Sequence, residues 1–189
     1  GKSAHYAKTK QMMYSEPELW NTLMKKLSEV VRLYLRAQVT AGAQAIQLFD
    51  SWIGALSPTD YREFILPHVQ HILQDVAKTG VPVIHFGTGT ATLLELQKEA
   101  GGTVIGVDWR TPLGAARARL GNDVAVQGNL DPLLLFAPRP LLEKRVVEVL
   151  DAAGPAPGHI FNLGHGILPE TSPDSVRFVA DVVHERSRR

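Results

Sequence analysis

The sequence predicts an α/β fold in which a parallel sheet is covered by helices. Two observations carry that prediction: five short, nearly continuously apolar segments, and helical sequence after each of them. A strand buried on both faces reads as an unbroken apolar run, and joining it to a parallel neighbour takes a crossover long enough for a helix. A third observation narrows the architecture. Polar or glycine residues stand at the carboxyl end of every predicted strand: Asp50 and Ser51, Gly87 to Thr90, Asp108 and Trp109, Gln127 to Asn129, and Asn162 to Gly166. A site fed by all the strand ends is what a (β/α)8 TIM-type barrel builds, and five βα units give an incomplete one.

The elements follow in order. SEPELWNTLMKKLSEVVRLYLRAQVTAG predicts a helix with Ser15 as N-cap and Pro17 in its first turn; Leu19, Leu23, Leu27, Val31 and Leu35 fall at helical spacing, and Gly42 stops it. Ala45 to Asp50 is the first strand. A helix capped by Ser57, with Pro58 behind the cap, comes next, and Pro67 kinks or divides it. VPVIHF is a strand ending in the GTGT turn, TATLLELQKEAGG a helix, TVIGVDW a strand and TPLGAARARLG a short helix. VAVQGN is the fourth strand, DPLLLFAPRPLLEKRVVEVLDAAG a broken helical pair, HIFNLG the fifth strand, and SPDSVRFVADVVHERS a helix capped by Ser172. An open nucleotide-binding sheet has only Gly87-Thr88-Gly89-Thr90-Ala91-Thr92 in its favour, which supplies two of three expected glycines and sits in mid-chain.

Composition bounds the function. With 44% hydrophobic and 21% charged residues in 189, the chain can bury a sizeable core and is expected to form one domain. The balance of 20 Lys and Arg against 19 Asp and Glu gives no broad phosphate-binding face, so nucleic acid is not an expected partner. Absence of cysteine excludes disulfides, thiolate nucleophiles and sulfur-ligated zinc, which suits a cytoplasmic enzyme. No apolar run reaches membrane-spanning length, and GKSAHYAKTK lacks the apolar centre of a signal peptide. The first residue, Gly1, hints at lost upstream residues.

Phe161 to Thr171, FNLGHGILPET, sets His165 between two glycines where an apolar strand ends, a geometry that brings a side chain and bare backbone up to a ligand. FDS, Phe49 to Ser51, is a second exit of this kind. Taken alone, His165 could be an incidental turn histidine, Ser51 a cap, and Phe49 and Phe86 core aromatics. His85 reads as a satisfied structural histidine, and His68 and His71, spaced i and i+3 without a third ligand, as surface residues rather than a metal site. Asp108 and Trp109 close a strand, and direct contact of Asp108 with substrate stays open. Asp131 is expected to cap a helix; Lys25, Lys26, Arg186, Arg188 and Arg189 read as solvated faces or a tail.

AGAQAIQLFDSWIGALSP, VPVIHFGTGT, VIGVDWRTPL, VQGNLDP and FNLGHGILPETSP together resemble uroporphyrinogen decarboxylase in order and spacing, from Gly1 to about His184. The resemblance implies a (β/α)8 barrel of roughly twice this length, of which residues 1–189 would be the carboxyl-terminal portion, and a homodimer when full length. It implies cofactor-independent removal of CO2 from the four acetate side chains of a tetrapyrrole, uroporphyrinogen, in haem biosynthesis, with no metal. His165 and Ser51 match the family's active-site histidine and serine, His165 as a donor to a substrate carboxylate, while Phe49 and Phe86 match the apolar wall of the cleft. The family's arginine-rich segment, its pyrrole-binding aspartate and its active-site tyrosine fall outside this sequence, so the tyrosines present do not take that role and the chain alone is expected to be inactive. Two competitors remain: a barrel methyltransferase related to cobalamin-dependent enzymes, disfavoured by the absence of cysteine, and a non-catalytic truncated fragment.

Overall fold

The computed structural model of the chain describes residues 5–187; Gly1, Arg188 and Arg189, named above, lie outside that range. Five strands, β1 (Ile46–Phe49), β2 (Val83–Phe86), β3 (Val104–Gly106), β4 (Ala125–Leu130) and β5 (His159–Leu163), form one sheet in the order β1-β2-β3-β4-β5, every neighbouring pair parallel. Helices α1 (Ala7–Ser15) and α2 (Pro17–Thr40) precede β1. Helices α3 (Pro58–Phe64) and α4 (Leu66–Ala77), then α5 (Leu94–Ala100), α6 (Leu113–Leu120) and α7 (Arg139–Ala153), fill the successive crossovers, and α8 (Pro173–Arg186) follows β5. This is the expected α/β architecture, an incomplete barrel of TIM type.

Sequence chemistry explains most boundaries. Ser57 caps α3 by accepting the Asp60 N–H at 3.1 Å, and Ser172 caps α8 through Asp174. The long helix divides at Ile65, whose φ of −123° leaves the helical region, and Pro67 stands in the first turn of the helix that follows, where its missing N–H costs nothing. The N-cap expectation for Ser15 is corrected: Ser15 is the last residue of α1, and Glu16 occupies the cap position with φ −134° and no side-chain cap bond. Pro17 crowds the residue before it out of the α region, so the chain breaks at Glu16 and not at Ser15. Helix α5 starts four residues after Thr90, because Thr90 to Leu93 close a turn through Leu93 N–H to the Thr90 carbonyl at 2.8 Å.

One face of the sheet is covered. Met13, Trp20 and Leu35 pack with Tyr61, Leu73, Val76 and Val83 around α1 to α4, while Ile105 and Val126 pack with Leu113 and Leu120. Leu142, Val146, Val179 and Val182 close the far side. Each large aliphatic buried this fully contributes about 1.5–3 kcal/mol of transfer free energy. Between α2 and α4, Arg32 bridges Glu29 at 2.6 Å and Asp75 at 2.7 Å, and the Arg32 guanidinium holds the Glu29 carboxyl down to about 2.

The opposite face is concave. The register places Phe49, Phe86, Gly106, Gln127 and Ile160 in one row across it. In a flat sheet β1 and β4 would stand about 14 Å apart, three ladder spacings. Yet Gln127 Nε2 donates to Gln47 Oε1 at 3.2 Å. The sheet is therefore bent as in a barrel, with Gln47 and Gln127 meeting across the bend. Gly106 allows it locally: a Cβ there would sit 2.7 Å from the Phe86 ring.

Candidate active site

Because all strands run parallel, every strand exit lies on one rim. The β1 and β2 exits are joined by Asp50 N–H to the Phe86 carbonyl at 2.7 Å and by Thr88 N–H to the Ser51 carbonyl at 3.2 Å. Gly54 sits so tightly under the second turn that a Cβ would fall 2.2 Å from the Thr88 carbonyl oxygen. Asp108, fully buried, accepts the Gly89 N–H at 2.7 Å and Arg110 Nη1 at 2.8 Å, and so links the β2 and β3 exits. Asn129 Nδ2 donates to the carbonyls of Asp108 and Thr111 at 2.9 and 2.6 Å, adding the β4 exit. Gly164 adds the β5 exit: its N–H reaches the Leu130 carbonyl at 2.7 Å, and a Cβ on it would lie 2.3 Å from the Trp109 nitrogen. Only glycine permits that approach.

The four residues singled out by sequence lie along this rim. Ser51 is half-buried; its carbonyl serves the neighbouring loop. His165 is exposed, and its ring meets Trp109 edge-on, centroids 6.1 Å apart at 87°. Phe86 is 7% exposed and Phe49 67%, in edge contact at 6.0 Å on the concave face. Phe49 is thus exposed on that face and not part of the core, while Phe86 is buried against it.

Several other expectations are settled by burial. Asp108 is a tie between loops, spent on four protein donors: Gly89 N–H, Arg110 N–H and Nη1, and the Thr111 hydroxyl. His68 is corrected from surface to buried: its Nε2 lies 3.1 Å from Asn21 Oδ1, and burial lowers its pKa, with Lys25 and His71 adding to the effect. It falls on the helical face of Ile65, Val69, Ile72 and Val76, a spacing visible in the sequence. His71 is exposed beside Glu29 at 3.4 Å. Among the described residues no group of three His, Cys, Asp or Glu could hold a metal. His85 is fully buried, but only its Nδ1 approaches a partner, the Gln97 carbonyl at 3.5 Å; its Nε2 stands 3.7 Å from Asp50 Oδ2, beyond hydrogen-bond range. Asp131 caps the turn after β4 by accepting the Leu133 N–H at 2.9 Å. Lys25 and Lys26 are exposed, and Arg186 pairs with Glu143 at 3.2 Å.

Two features escaped the sequence reading. Helix α1 closes a cavity of about 280 Å3 beside Ser51, lined by Tyr6, Lys10, Met13, Phe49 and Trp52, with Lys10 Nζ donating to the Ala55 carbonyl at 2.7 Å. At the β3 exit the Arg110 guanidinium lies over the Trp109 ring, 3.9 Å from its centroid.

Among the described residues no helix is long and apolar enough to cross a membrane. The chain is similar to a methyltransferase from Methanosarcina mazei, TM-score 0.84 over 94% of this chain and 52% of that one, at 19% identity, a likeness of fold alone. Proteins called uroporphyrinogen decarboxylase share far more sequence: 65% identity over 188 residues in Sorangium cellulosum, 54% over 189 in Salinispora tropica and 52% over 185 in Thermus thermophilus. The match takes in 98–100% of this chain and 54%, 51% and 54% of those relatives, so the chain spans about half their length. The uroporphyrinogen decarboxylase family model matches residues 1–186, and with the rim and its glycines already described, this chain belongs to the uroporphyrinogen decarboxylase family.

Proposed function

We propose that this chain, joined to the rest of a protein of the relatives' length, works as a uroporphyrinogen decarboxylase in haem biosynthesis, cytoplasmic and homodimeric. What supports the reading is identity of up to 65% along the whole chain to proteins of that name. The likeness to a methyltransferase concerns fold only. Decarboxylation breaks the bond between an acetate methylene and its carboxyl carbon; CO2 leaves, the electron pair passes toward a protonated pyrrole, and a proton completes the methyl group. The protein must orient the macrocycle, meet its charges and deliver protons. In this reading His165, past the β5 exit, donates to a substrate carboxylate, Ser51 offers its hydroxyl from the β1 exit, and Phe49, backed by the buried Phe86, forms the apolar wall on which the macrocycle lies. The chemistry asks for no metal or organic cofactor.

The test is a chimera in which this chain replaces the matching portion of the Sorangium cellulosum relative. It should convert uroporphyrinogen to coproporphyrinogen, retain activity after exhaustive chelation, and be slowed by His165→Asn by the equivalent of about 1.5–3 kcal/mol, one charge-assisted hydrogen bond. A folded chimera without turnover would refute the reading. Undiminished turnover in His165→Asn would remove His165 from the site.

A further inference from the structure

The β3 exit presents a cation whose hydrogen-bonding capacity is not used up. Arg110 gives Asp108 one guanidinium nitrogen, Nη1 at 2.8 Å, and the Asp108 oxygen that receives it also accepts the Gly89 N–H. Two other exposed arginines, by contrast, are matched two against two. Arg62 sends Nη1 and Nη2 to the two oxygens of Glu99 at 2.8 and 2.9 Å, and Arg119 sends Nε and Nη2 to Glu95 at 2.7 and 2.6 Å. With 56% of its side chain exposed, Arg110 keeps the rest of its five-donor fork for solvent or a ligand. Its orientation is set in advance by stacking on Trp109, and the same indole touches His165 edge-on. A guanidinium fixed by stacking loses little conformational freedom when it binds, and its planar fork suits a carboxylate.

We propose that Arg110 is a substrate-binding residue that takes a carboxylate side chain of the macrocycle on the rim beside His165. The inference rests on the decarboxylase reading above. Asp108 would then hold the guanidinium in place from below, and Trp109 would fix the spacing between the two carboxylate-binding groups.

The experiment uses the same chimera and uroporphyrin I, an unreactive octacarboxylate, with affinity read from tryptophan quenching. Arg110→Gln should weaken binding roughly tenfold, flatten its salt dependence, and raise KM for uroporphyrinogen far more than it lowers kcat. Arg62→Gln, which removes a cation between α3 and α5, should change neither affinity nor KM. If Arg110→Gln does not fold, Arg110→Lys keeps a charge for Asp108 and should still lose affinity, because it lacks the fork. In the unsubstituted chimera the Arg110 Nε–H resonance, assigned by its loss in Arg110→Lys, should shift when uroporphyrin I is added. Unchanged affinity in the Arg110 variants, an unmoved resonance, or an equal loss in Arg62→Gln would overturn the proposal while leaving the decarboxylase reading intact. A parent chimera that neither binds uroporphyrin nor turns over uroporphyrinogen would overturn both.

Discussion

Asp50 follows β1 directly and Asp108 follows β3 by two residues, and the two aspartates have opposite fates. Asp108 is fully buried and spends its carboxylate on donors from two loops. Asp50 sits above a looser cluster: its Oδ2 and the Nε2 of His85 are 3.7 Å apart, both buried without a hydrogen bond, with the buried Tyr61 hydroxyl likewise unpartnered. Burial and the Asp50 charge both push the Tyr61 phenol up. A rim can thus satisfy a buried carboxylate completely at one exit and leave buried polar side chains unpartnered at another, although both begin from the same residue type. The difference is one of stability, since an unpaired buried donor or acceptor costs about 1–3 kcal/mol where a satisfied one contributes about 1.

Substitution should expose that difference. Asp108→Ala is expected to cost the chain about 3 kcal/mol by urea unfolding, because it strips four donors of a buried acceptor, and Asp50→Ala less than about 1 kcal/mol. The reverse ranking would break the comparison. Gly164→Ala should cost about 2 kcal/mol, since its methyl meets the Trp109 backbone, which has no room to yield. An unchanged unfolding midpoint there would mean that the β5 exit yields to the added methyl. His85→Leu is expected to lie within about 1 kcal/mol of the parent or to stabilise it, as an apolar group replaces a poorly paired one; a loss of about 2 kcal/mol or more would show that the Asp50–His85 pair closes in solution.

The smallest expected effect lies at the opposite end of the sheet. Burial lowers the pKa of His159 despite the bond of its Nε2 to the Gly128 carbonyl at 2.8 Å, and Arg117 adds to the lowering. The folded state therefore resists protonation more than the unfolded chain. Its contribution is fully present above the unfolded value of about 6.5 and declines as pH falls from there toward the lower folded value. His159→Gln should flatten that part of the pH profile of unfolding; an identical profile would assign the decline to other groups, such as His68, whose shift has the same direction.

The sheet was legible in sequence because its strands are short, mostly apolar runs each followed by helical sequence, and the division at Pro67 because proline acts locally. Helix α1 was not legible: in AKTKQMMYS only Met13 is buried, so no apolar stripe marks it. The burial of His68 was legible and overlooked, since it shares the spacing of Ile65 and Ile72. At the rim, Ser51 and His165 could be named from polar strand exits and family resemblance. The stack of Arg110 on Trp109 against His165 could not, because it joins residues of different exits through a contact that Gly164 alone makes possible.

The strand order has a consequence for how the chain is made. Each strand pairs with the strand that precedes it in sequence, its partner residues roughly 20 to 40 positions back, so every new loop closes over a short stretch of chain. A chain emerging from a ribosome could add one βα unit at a time to an edge already in place, and the covered face would grow in step with synthesis. Arrest points set after each crossover helix, read by protease resistance, would trace that growth unit by unit.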